Sequence, residues 1–245
     1  MIKSYKDTTL VIDAGNTRIK IGVFKNEALV EVIRFGNEEW NDLKSFLLEY
    51  RFTNSVVSSV RSDKDTRWIL QMLQNPISFN GSQELLLKHV YQTPETLGSD
   101  RLSNVLAASK LATSSALVID IGTCIKFDVI DQNKCYLGGS ISPGINLRYK
   151  SLHDYTGLLP LLNDDSNAPI IGDSTESCMH SGVMQGIQGE INHFVSYYVA
   201  RYQDLTIFVT GGDAHCFDID SKNNIFVEQN LTLYGLYYSI HSHAY

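Results

Sequence analysis

The sequence lacks the features that mark nucleic-acid-binding and membrane-spanning proteins. Its 20 Lys and Arg are outnumbered by 27 Asp and Glu, so the formal net charge is -7 and no basic excess attracts nucleic acid. No apolar run approaches the ~20 residues of a membrane span, and the N-terminus carries no apolar stretch typical of a signal peptide. We therefore expect a cytoplasmic protein with neither nucleic acid nor membrane as a partner.

Cysteine is also scarce, and its spacing argues against disulfides and structural zinc. The chain has no CxxC pair, and its seven histidines form no metal-ligand pattern. Free, buried thiols in a reducing compartment are the interpretation that fits this usage. The four cysteines are Cys124, Cys135, Cys178 and Cys216.

The common phosphate-binding signatures are missing as well. The chain contains neither GxxxxGK[ST] nor a GxGxxG that opens a helix. Because the net charge is negative, an anionic ligand has to be bound by local backbone N–H groups, a few cations and bound metal. The 245 residues, 43% of them apolar, are enough for one large domain or two of about 110–130 residues.

What the chain does contain is one pattern that occurs twice. In Thr9–Phe24 and again in Ala116–Ile130, a short apolar run leads to Asp-x-Gly, a nearby Thr and a second β-rich run. The two aspartates, Asp13 and Asp120, lie 107 residues apart. This spacing predicts two similar halves, each opening with a hairpin whose turn carries an acid and a glycine. Two such turns facing one another would form a cleft for a nucleotide and its metal ion.

The order of predicted elements repeats too. In each half, three antiparallel strands precede a helix, a strand and a helix, which indicates an α/β fold with a mixed sheet per domain. We place the domains at 1–113 and 114–245. Strands are predicted at Leu10–Ile12, Arg18–Phe24, Ala28–Phe35, Asn54–Val60, Pro76–Asn80, Ala116–Asp120, Ile125–Ile130, Lys134–Ile141 and Thr206–Val209. Helices are predicted at Asn41–Arg51, Asp65–Leu73, Arg101–Ala112, Pro143–Leu152, Ser174–Arg201 and Asn230–Ser239.

The first Asp-x-Gly turn, Asp13–Lys20, suits phosphate binding. Gly15 permits close approach of the backbone to a ligand, the following Asn-Thr pair adds neutral donors, and Asp13 is able to hold a hydrated Mg2+. An ordinary hairpin turn also favours Asp, Gly and Asn. The recurrence of the acid at Asp120–Thr123 favours the functional interpretation, because a mere turn need not repeat it.

The segment Gly98-Ser-Asp-Arg101 allows two interpretations. As structure, Ser99 or Asp100 caps the following helix, which is worth about 1 kcal/mol. As function, Asp100 accepts the proton of a substrate hydroxyl and Arg101 binds an anionic group of that substrate. The segment by itself does not decide between them.

Two glycine-rich segments of the second half also allow two interpretations each. Gly138–Gly144 either approaches a ligand or forms a tight connection from strand to helix. Thr210-Gly-Gly212 either lies against an adenine or ribose or forms a plain turn.

Taken together, these motifs resemble those of the type III pantothenate kinases, of the acetate kinase/sugar kinase/Hsp70/actin superfamily. Each motif is weak alone, but six in order from Leu10 to about Leu236 are specific. The resemblance implies two ribonuclease H-like, actin-like ATPase domains with the nucleotide cleft between them. The motifs are Asp-x-Gly-Asn-Thr, Tyr91-x6-Gly-Ser-Asp-Arg, Asp-x-Gly-Thr, Gly-Gly-x-Ile-x-Pro-Gly, Ser-Thr175 with Ser181-Gly182, and Thr-Gly-Gly.

The resemblance also implies an activity. It is the ATP-dependent phosphorylation of pantothenate to 4'-phosphopantothenate, the first step of coenzyme A synthesis, by a homodimer with its substrate site at the interface. The cofactors implied are Mg2+ at Asp13 and a monovalent cation, K+ or NH4+, at Asp120, and Asp100 becomes the proton acceptor. The implied ATP contacts are Asp13, Ala14, Gly15, Asn16, Thr17, Arg18, Ile19, Lys20 and Thr123. The implied pantothenate contacts are Tyr91, Gly98, Ser99, Asp100, Arg101 and Thr175, the last reaching across the dimer interface.

Two positions depart from the family pattern, and two other functions compete. Cys124 stands where Ala is usual, and Ser174 stands where Asn precedes the Thr; both changes concern affinity more than activity. Another small-alcohol kinase or a phosphatase of the superfamily fits the Gly-Ser-Asp-Arg segment and Tyr91 less well. A nucleotide-binding accessory factor of transcription, without turnover, would not require all three of the motif aspartates.

Overall fold

The computed structural model describes residues 3–80, 87–165, 167–219 and 224–241, which form two compact units. The first unit contains the described residues up to Lys110 together with those from Asn230 onwards, and the second is Leu111–Gln229. The predicted domains, 1–113 and 114–245, are two successive segments of the chain, and the boundary between them stays a prediction. The compact units differ from it because the last helix packs with the first unit.

The described residues form ten strands and seven α-helices. The strands are β1 (Lys3–Ala14), β2 (Arg18–Lys25), β3 (Ala28–Gly36), β4 (Tyr50–Ser59), β5 (Pro76–Phe79), β6 (Ala116–Ile121), β7 (Cys124–Ile130), β8 (Tyr136–Pro143), β9 (Thr206–Thr210) and β10 (Asn224–Val227). The helices are α1 (Trp40–Glu49), α2 (Asp63–Gln71), α3 (Ser99–Leu111), α4 (Ile145–Asp154), α5 (Thr175–His180), α6 (Gly186–Arg201) and α7 (Leu231–His241).

The two sheets have the same topology. The strand order is β3-β2-β1-β4-β5 in the first unit and β8-β7-β6-β9-β10 in the second. In each, an antiparallel meander of three strands is extended by two strands parallel to its first strand. This confirms the predicted α/β fold with a mixed sheet in each half, and it shows that the repeated motif marks a repeated fold.

The central strands of both sheets are buried on both faces. Leu10–Ile12 and Leu117–Ile119 are at most 1% exposed, which explains why they read as unbroken apolar runs. In the first unit α7 packs on the sheet, since the ring of Tyr237 stacks on that of Phe24 in the neighbouring strand β2 at 4.3 Å. Helix α7 also crosses α3 so closely that a Cβ on Gly235 would lie 1.7 Å from the Ser103 carbonyl oxygen.

Several predicted elements differ from those observed. Strand β10 was not predicted; its short apolar run, Ile225–Val227, is a strand because β9 supplies parallel partners along its length. Strand β8 begins later than predicted, because Lys134 has a positive φ of 60° in the preceding turn. A π-helical turn, Ser181–Gln185, separates α5 from α6 in the long predicted helix.

The structure also bears on the burial of the cysteines and on membrane-spanning helices. All four cysteines are free, but none is buried and Cys178 is exposed, so the expectation of buried thiols was wrong. Within the described ranges, no helix has the length and apolar character needed to cross a bilayer.

Candidate functional site

The β1–β2 hairpin carries the first motif, Asp13–Lys20, at one end of the first sheet. Asp13 lies directly opposite Lys20 in the antiparallel register, so their side chains share a face. The loop residues Asn16 and Thr17 are exposed, and so is Arg18, the first residue of β2. A carboxylate, a facing cation and an exposed loop with polar donors are a set that fits the phosphates of a metal-bound nucleotide.

A buried pair of serines connects this hairpin to the start of α3. Ser58 of β4 is the register partner of Asp13, and its hydroxyl donates to the Ser99 hydroxyl at 2.9 Å. Both serines are buried, and Asp100 follows Ser99 directly. The structure therefore brings the Asp13 and Asp100 segments together within the first unit. Sequence reasoning missed Ser58, although a polar residue inside an otherwise apolar buried strand was a usable signal.

Asp100 lies in the first turn of α3. Because the helix already begins at Ser99, neither Ser99 nor Asp100 precedes it as the N-cap interpretation required. One carboxylate oxygen of Asp100, Oδ1, accepts a hydrogen bond from the Arg101 backbone N–H at 2.8 Å. A Cβ on Gly98 would lie 2.6 Å from that same oxygen, so the glycine leaves the space that the carboxylate occupies.

Tyr91 and Arg101 form a second pair beside this turn. Arg101 is buried, and its Nη1 donates to the Tyr91 hydroxyl at 3.3 Å while its guanidinium carbon lies 5.6 Å from the ring centroid. Because Asp100 directly precedes Arg101, this guanidinium and phenol belong to the same segment as the carboxylate, and they provide donors for an anionic substrate group. The structure thus groups Tyr91 with Gly98–Arg101, as the resemblance implies.

The first motif is also held from its outer side by two residues that sequence reasoning missed. The Asn37 side-chain amide donates to the Asn16 carbonyl at 3.0 Å, and Arg61 Nη2 donates to Asn37 Oδ1 at 2.6 Å. The Arg61 guanidinium in turn lies 5.5 Å from the Trp40 ring centroid. Asn37 and Arg61 follow β3 and β4, so no local pattern in the sequence joins them to the loop.

The second motif forms the tight β6–β7 turn, with Thr123 exposed at its tip. Here the Asp120 carboxylate accepts a hydrogen bond from Lys126 Nζ at 2.7 Å, and the two side chains are each 15% exposed. Gly144 packs on this turn, since a Cβ there would lie 2.0 Å from the Gly122 carbonyl oxygen. Gly211, with φ of 99°, approaches the Ile121 carbonyl to the same degree. Close packing against the turn therefore accounts for Gly144 in the glycine-rich segment Gly138–Gly144 and for Gly211 in the segment Thr210–Gly212.

A second acidic residue, Asp213, is held against the second turn. The Asp213 backbone N–H donates to the Ile121 carbonyl at 3.0 Å. Burial, with added repulsion from Asp164 and Asp120, raises the pKa of the Asp213 carboxyl above its ordinary value, while His215 acts in the opposite direction. Over the part of the chain that the structure describes, no group of three or more His, Cys, Asp or Glu side chains is arranged to hold a metal ion.

Thr175 is exposed at the first position of α5, in a different part of the second unit. It lines an open pocket of about 1030 Å³ together with Arg148 and Cys178, and neither Asp120 nor Thr123 borders this pocket. The preceding Ser174 accepts a hydrogen bond from the backbone N–H of Ser177, whose hydroxyl completes a capping box. Ser174, one of the two departures from the family pattern, therefore keeps a structural role as the helix cap.

The solved structures most useful for comparison share the fold. A candidate transcriptional activator of the Baf family from Campylobacter jejuni has a TM-score of 0.60 at 21% identity, covering 95% of this chain and 97% of that one. An activator of 2-hydroxyisocaproyl-CoA dehydratase from Clostridium difficile, with bound ADPNP, has a TM-score of 0.51 at 16% identity, covering 94% and 93%. A candidate sugar kinase from Cytophaga hutchinsonii has a TM-score of 0.51 at 14% identity, covering 96% and 100%. These likenesses show the actin-like, sugar-kinase ATPase fold and nothing finer.

Sequence relatives are closer. The type III pantothenate kinase of Christiangramia forsetii is 40% identical over 233 residues, covering 93% of this chain and 95% of that protein. The type III pantothenate kinases of Flavobacterium johnsoniae and Phocaeicola vulgatus are 40% and 36% identical with the same two shares covered. A model of the type III pantothenate kinase family matches residues 9–197. With identity at this level over nearly the whole chain, this chain belongs to the type III pantothenate kinase family.

Proposed function

We propose that this chain transfers the γ-phosphoryl group of ATP to the primary hydroxyl of pantothenate. The observation that carries the proposal is the cluster in the first unit, where Asp100 sits beside the Arg101–Tyr91 pair. The Ser58–Ser99 hydrogen bond of 2.9 Å joins that cluster to the Asp13 hairpin. A proton acceptor, an anion-binding pair and a phosphate-binding turn are the three parts that phosphorylation of an anionic alcohol requires.

Each part has a separate role. Asp100 orients the acceptor hydroxyl and takes its proton, while Arg101 and Tyr91 bind the pantothenate carboxylate. Phosphoryl transfer has a loose transition state, so positioning matters more than the strength of the base. The hairpin from Asp13 to Lys20 holds the nucleotide phosphates, with Asp13 as the ligand of Mg2+. When bound, Mg2+ neutralises charge on the phosphates.

The second unit supplies further contacts in this proposal. Thr123 contacts ATP, and Thr175 contacts pantothenate bound to a second copy of the chain in a cytoplasmic homodimer. Support for a dimer comes from large apolar side chains that stand exposed near the Thr175 pocket, which is typical of an interaction surface. Tyr155, Leu158, Ile170 and Ile171 are between 75% and 96% exposed. The molar mass in solution, measured by light scattering, tests this part alone.

The activity is tested by measuring ADP release from ATP with and without pantothenate. Release that depends on pantothenate supports the kinase, whereas release without it indicates a hydrolase. Nucleotide binding without release would support a regulatory protein. The Campylobacter jejuni likeness gives no weight to that alternative, because at 21% identity it shows only the fold.

The role of Asp100 is tested by Asp100→Asn, which keeps the size of the side chain. Turnover should fall by ~10²–10⁴, the range of general base catalysis, while ATP binding is retained. Asp42→Asn is the matched control, because Asp42 also lies in the first turn of a helix of this unit but is exposed. A near-normal rate for Asp100→Asn would remove Asp100 from the role of proton acceptor.

A further inference from the structure

Asp120 is the residue to which the family resemblance assigns a monovalent cation, and in this structure it already has a cationic partner. Lys126 Nζ lies 2.7 Å from Asp120 Oδ2, within the range of a charge-assisted hydrogen bond. Both side chains are only 15% exposed, so the contact is partly desolvated and less screened by salt than a surface pair.

The register of the sheet fixes this contact. Asp120 on β6 and Lys126 on β7 are direct cross-strand partners, so their side chains leave the sheet on the same face. Flanking positions Ile119, Ile121, Ile125 and Phe127 are fully buried and hold the two strands in this register. The ammonium therefore stays beside the carboxylate without any rearrangement of the hairpin.

The same arrangement occurs in the first copy of the motif. Asp13 on β1 is the direct cross-strand partner of Lys20 on β2. The second turn is one residue shorter, and the Ile-Lys pair nonetheless returns to the position opposite the aspartate. A lysine opposite the motif aspartate is therefore part of the duplicated hairpin. At Asp13 the proposed Mg2+ is divalent and also takes the nucleotide phosphates as ligands, whereas a monovalent cation at Asp120 would have to compete with an ammonium group 2.7 Å from the carboxylate.

The residues present do not fit a freely exchanging monovalent cation at Asp120. The Lys126 side chain ends in an alkylammonium group, which resembles NH4+ in its single positive charge and in its N–H donors, three in place of four. A second cation at this carboxylate would be repelled by the ammonium at close range. A tethered group also has a high effective concentration, because it does not lose translational freedom on binding.

We propose that Lys126 replaces the monovalent cation, so that this chain works without added K+ or NH4+. The expected effects on kcat rest on the proposed kinase function, whereas the expected effect on Tm does not. It makes Lys126 a positioning residue that neutralises Asp120 and holds the second turn. The competing interpretation is a purely structural ion pair of the β6–β7 hairpin.

The first experiment compares the wild-type chain in choline, sodium, potassium and ammonium chloride at equal ionic strength. ADP is measured directly by chromatography, so that no cation-dependent coupling enzyme takes part. The kcat should differ by less than about twofold among the four salts. Activation by K+ or NH4+ of tenfold or more would overturn the proposal.

The second experiment uses Lys126→Met, which keeps the long apolar stem and removes the charge. In choline this variant should lose about 10- to 100-fold in kcat, the range expected for a charge-assisted hydrogen bond. Ammonium or potassium should then restore much of the loss. Lys126→Arg should stay active and cation-independent. A purely structural pair predicts no selective rescue by these cations, and that result would also overturn the proposal.

Thermal unfolding provides the readout that does not depend on catalysis. The Tm of Lys126→Met should rise when choline is replaced by K+ or NH4+, while the Tm of the wild type stays the same. Lys150→Met is the matched control, since Lys150 pairs with Asp154 at 3.2 Å in the same unit but is 65% exposed. If pantothenate is not phosphorylated at all, this shift still decides the role of Lys126. Equal Tm responses of the two lysine variants would count against it.

Discussion

Gly98→Ala tests the placement of the proposed proton acceptor without altering any reacting group. The new methyl group would lie 2.6 Å from Asp100 Oδ1, whereas non-bonded heavy atoms rest at roughly 3.5 Å. The carboxylate must therefore withdraw by close to 1 Å, and a misplacement of that size costs ~10² in rate. We expect kcat to fall by about that factor while the KM for ATP stays close to the wild-type value.

The assay is steady-state ADP release at varied ATP and pantothenate, with Tm measured in parallel. Gly98 lies just before α3, where glycine is preferred to alanine by up to ~1 kcal/mol, so the loss of stability should be modest. Gly157→Ala is the control, because its new methyl group would have no atom within 4 Å. In an Asp100→Asn background, Gly98→Ala should cost little more, since both changes act on one group. A kcat within twofold of the wild type would refute the reasoning.

Two further predictions concern the outer support of the hairpin and the core of the second unit. Asn37→Ala removes the donor to the Asn16 carbonyl, so the KM for ATP should rise about two- to tenfold with kcat nearly unchanged. Asn37→Asp should show the same rise in KM, because its carboxylate cannot donate to that carbonyl. A normal KM for ATP in both variants would exclude this role of Asn37. Burial, with repulsion from nearby aspartates, raises the pKa of Tyr149 to about 12, and its hydroxyl is 2.8 Å from His180 Nδ1. The folded state keeps the proton of the Tyr149 hydroxyl more tightly than the unfolded state does. The contribution of this hydroxyl to the free energy of unfolding is therefore complete below pH ~10 and is lost as the pH rises towards 12. Tyr149→Phe should therefore be less stable by about 1 kcal/mol at neutral pH, and denaturant titrations should show this deficit shrinking in that alkaline window.

The repeated motif was enough to predict the fold because it combines two local signals. An unbroken apolar run marks a central strand, and Asp-x-Gly marks the turn that follows it, so β1, β2, β6 and β7 were all placed. Strand β10 was missed because a run of three apolar residues carries little signal until β9 supplies its hydrogen bonds.

The site was predictable where its residues are adjacent along the chain and not where they meet only in space. Gly98–Arg101 is one continuous segment that leads into the first turn of α3, so a single short stretch of sequence was sufficient to identify it. The Ser58–Ser99 and Arg61–Asn37 contacts join segments 41 and 24 residues apart. The partnership of Lys126 with Asp120 depends on the register of the β6–β7 hairpin, which turn length does not reveal, since the two copies keep this pairing with turns that differ by one residue.

Helix α7 has a consequence for how the protein is made. The second unit is one continuous stretch of chain, so its sheet and helices are all available once residue 229 has been synthesised. The first unit lacks α7 at that stage, so Phe24 cannot yet make its contact with the Tyr237 ring, which stacks on it at 4.3 Å in the folded protein. During translation, therefore, the N-terminal sheet keeps an apolar surface open while the later unit is completed, and its own folding finishes last.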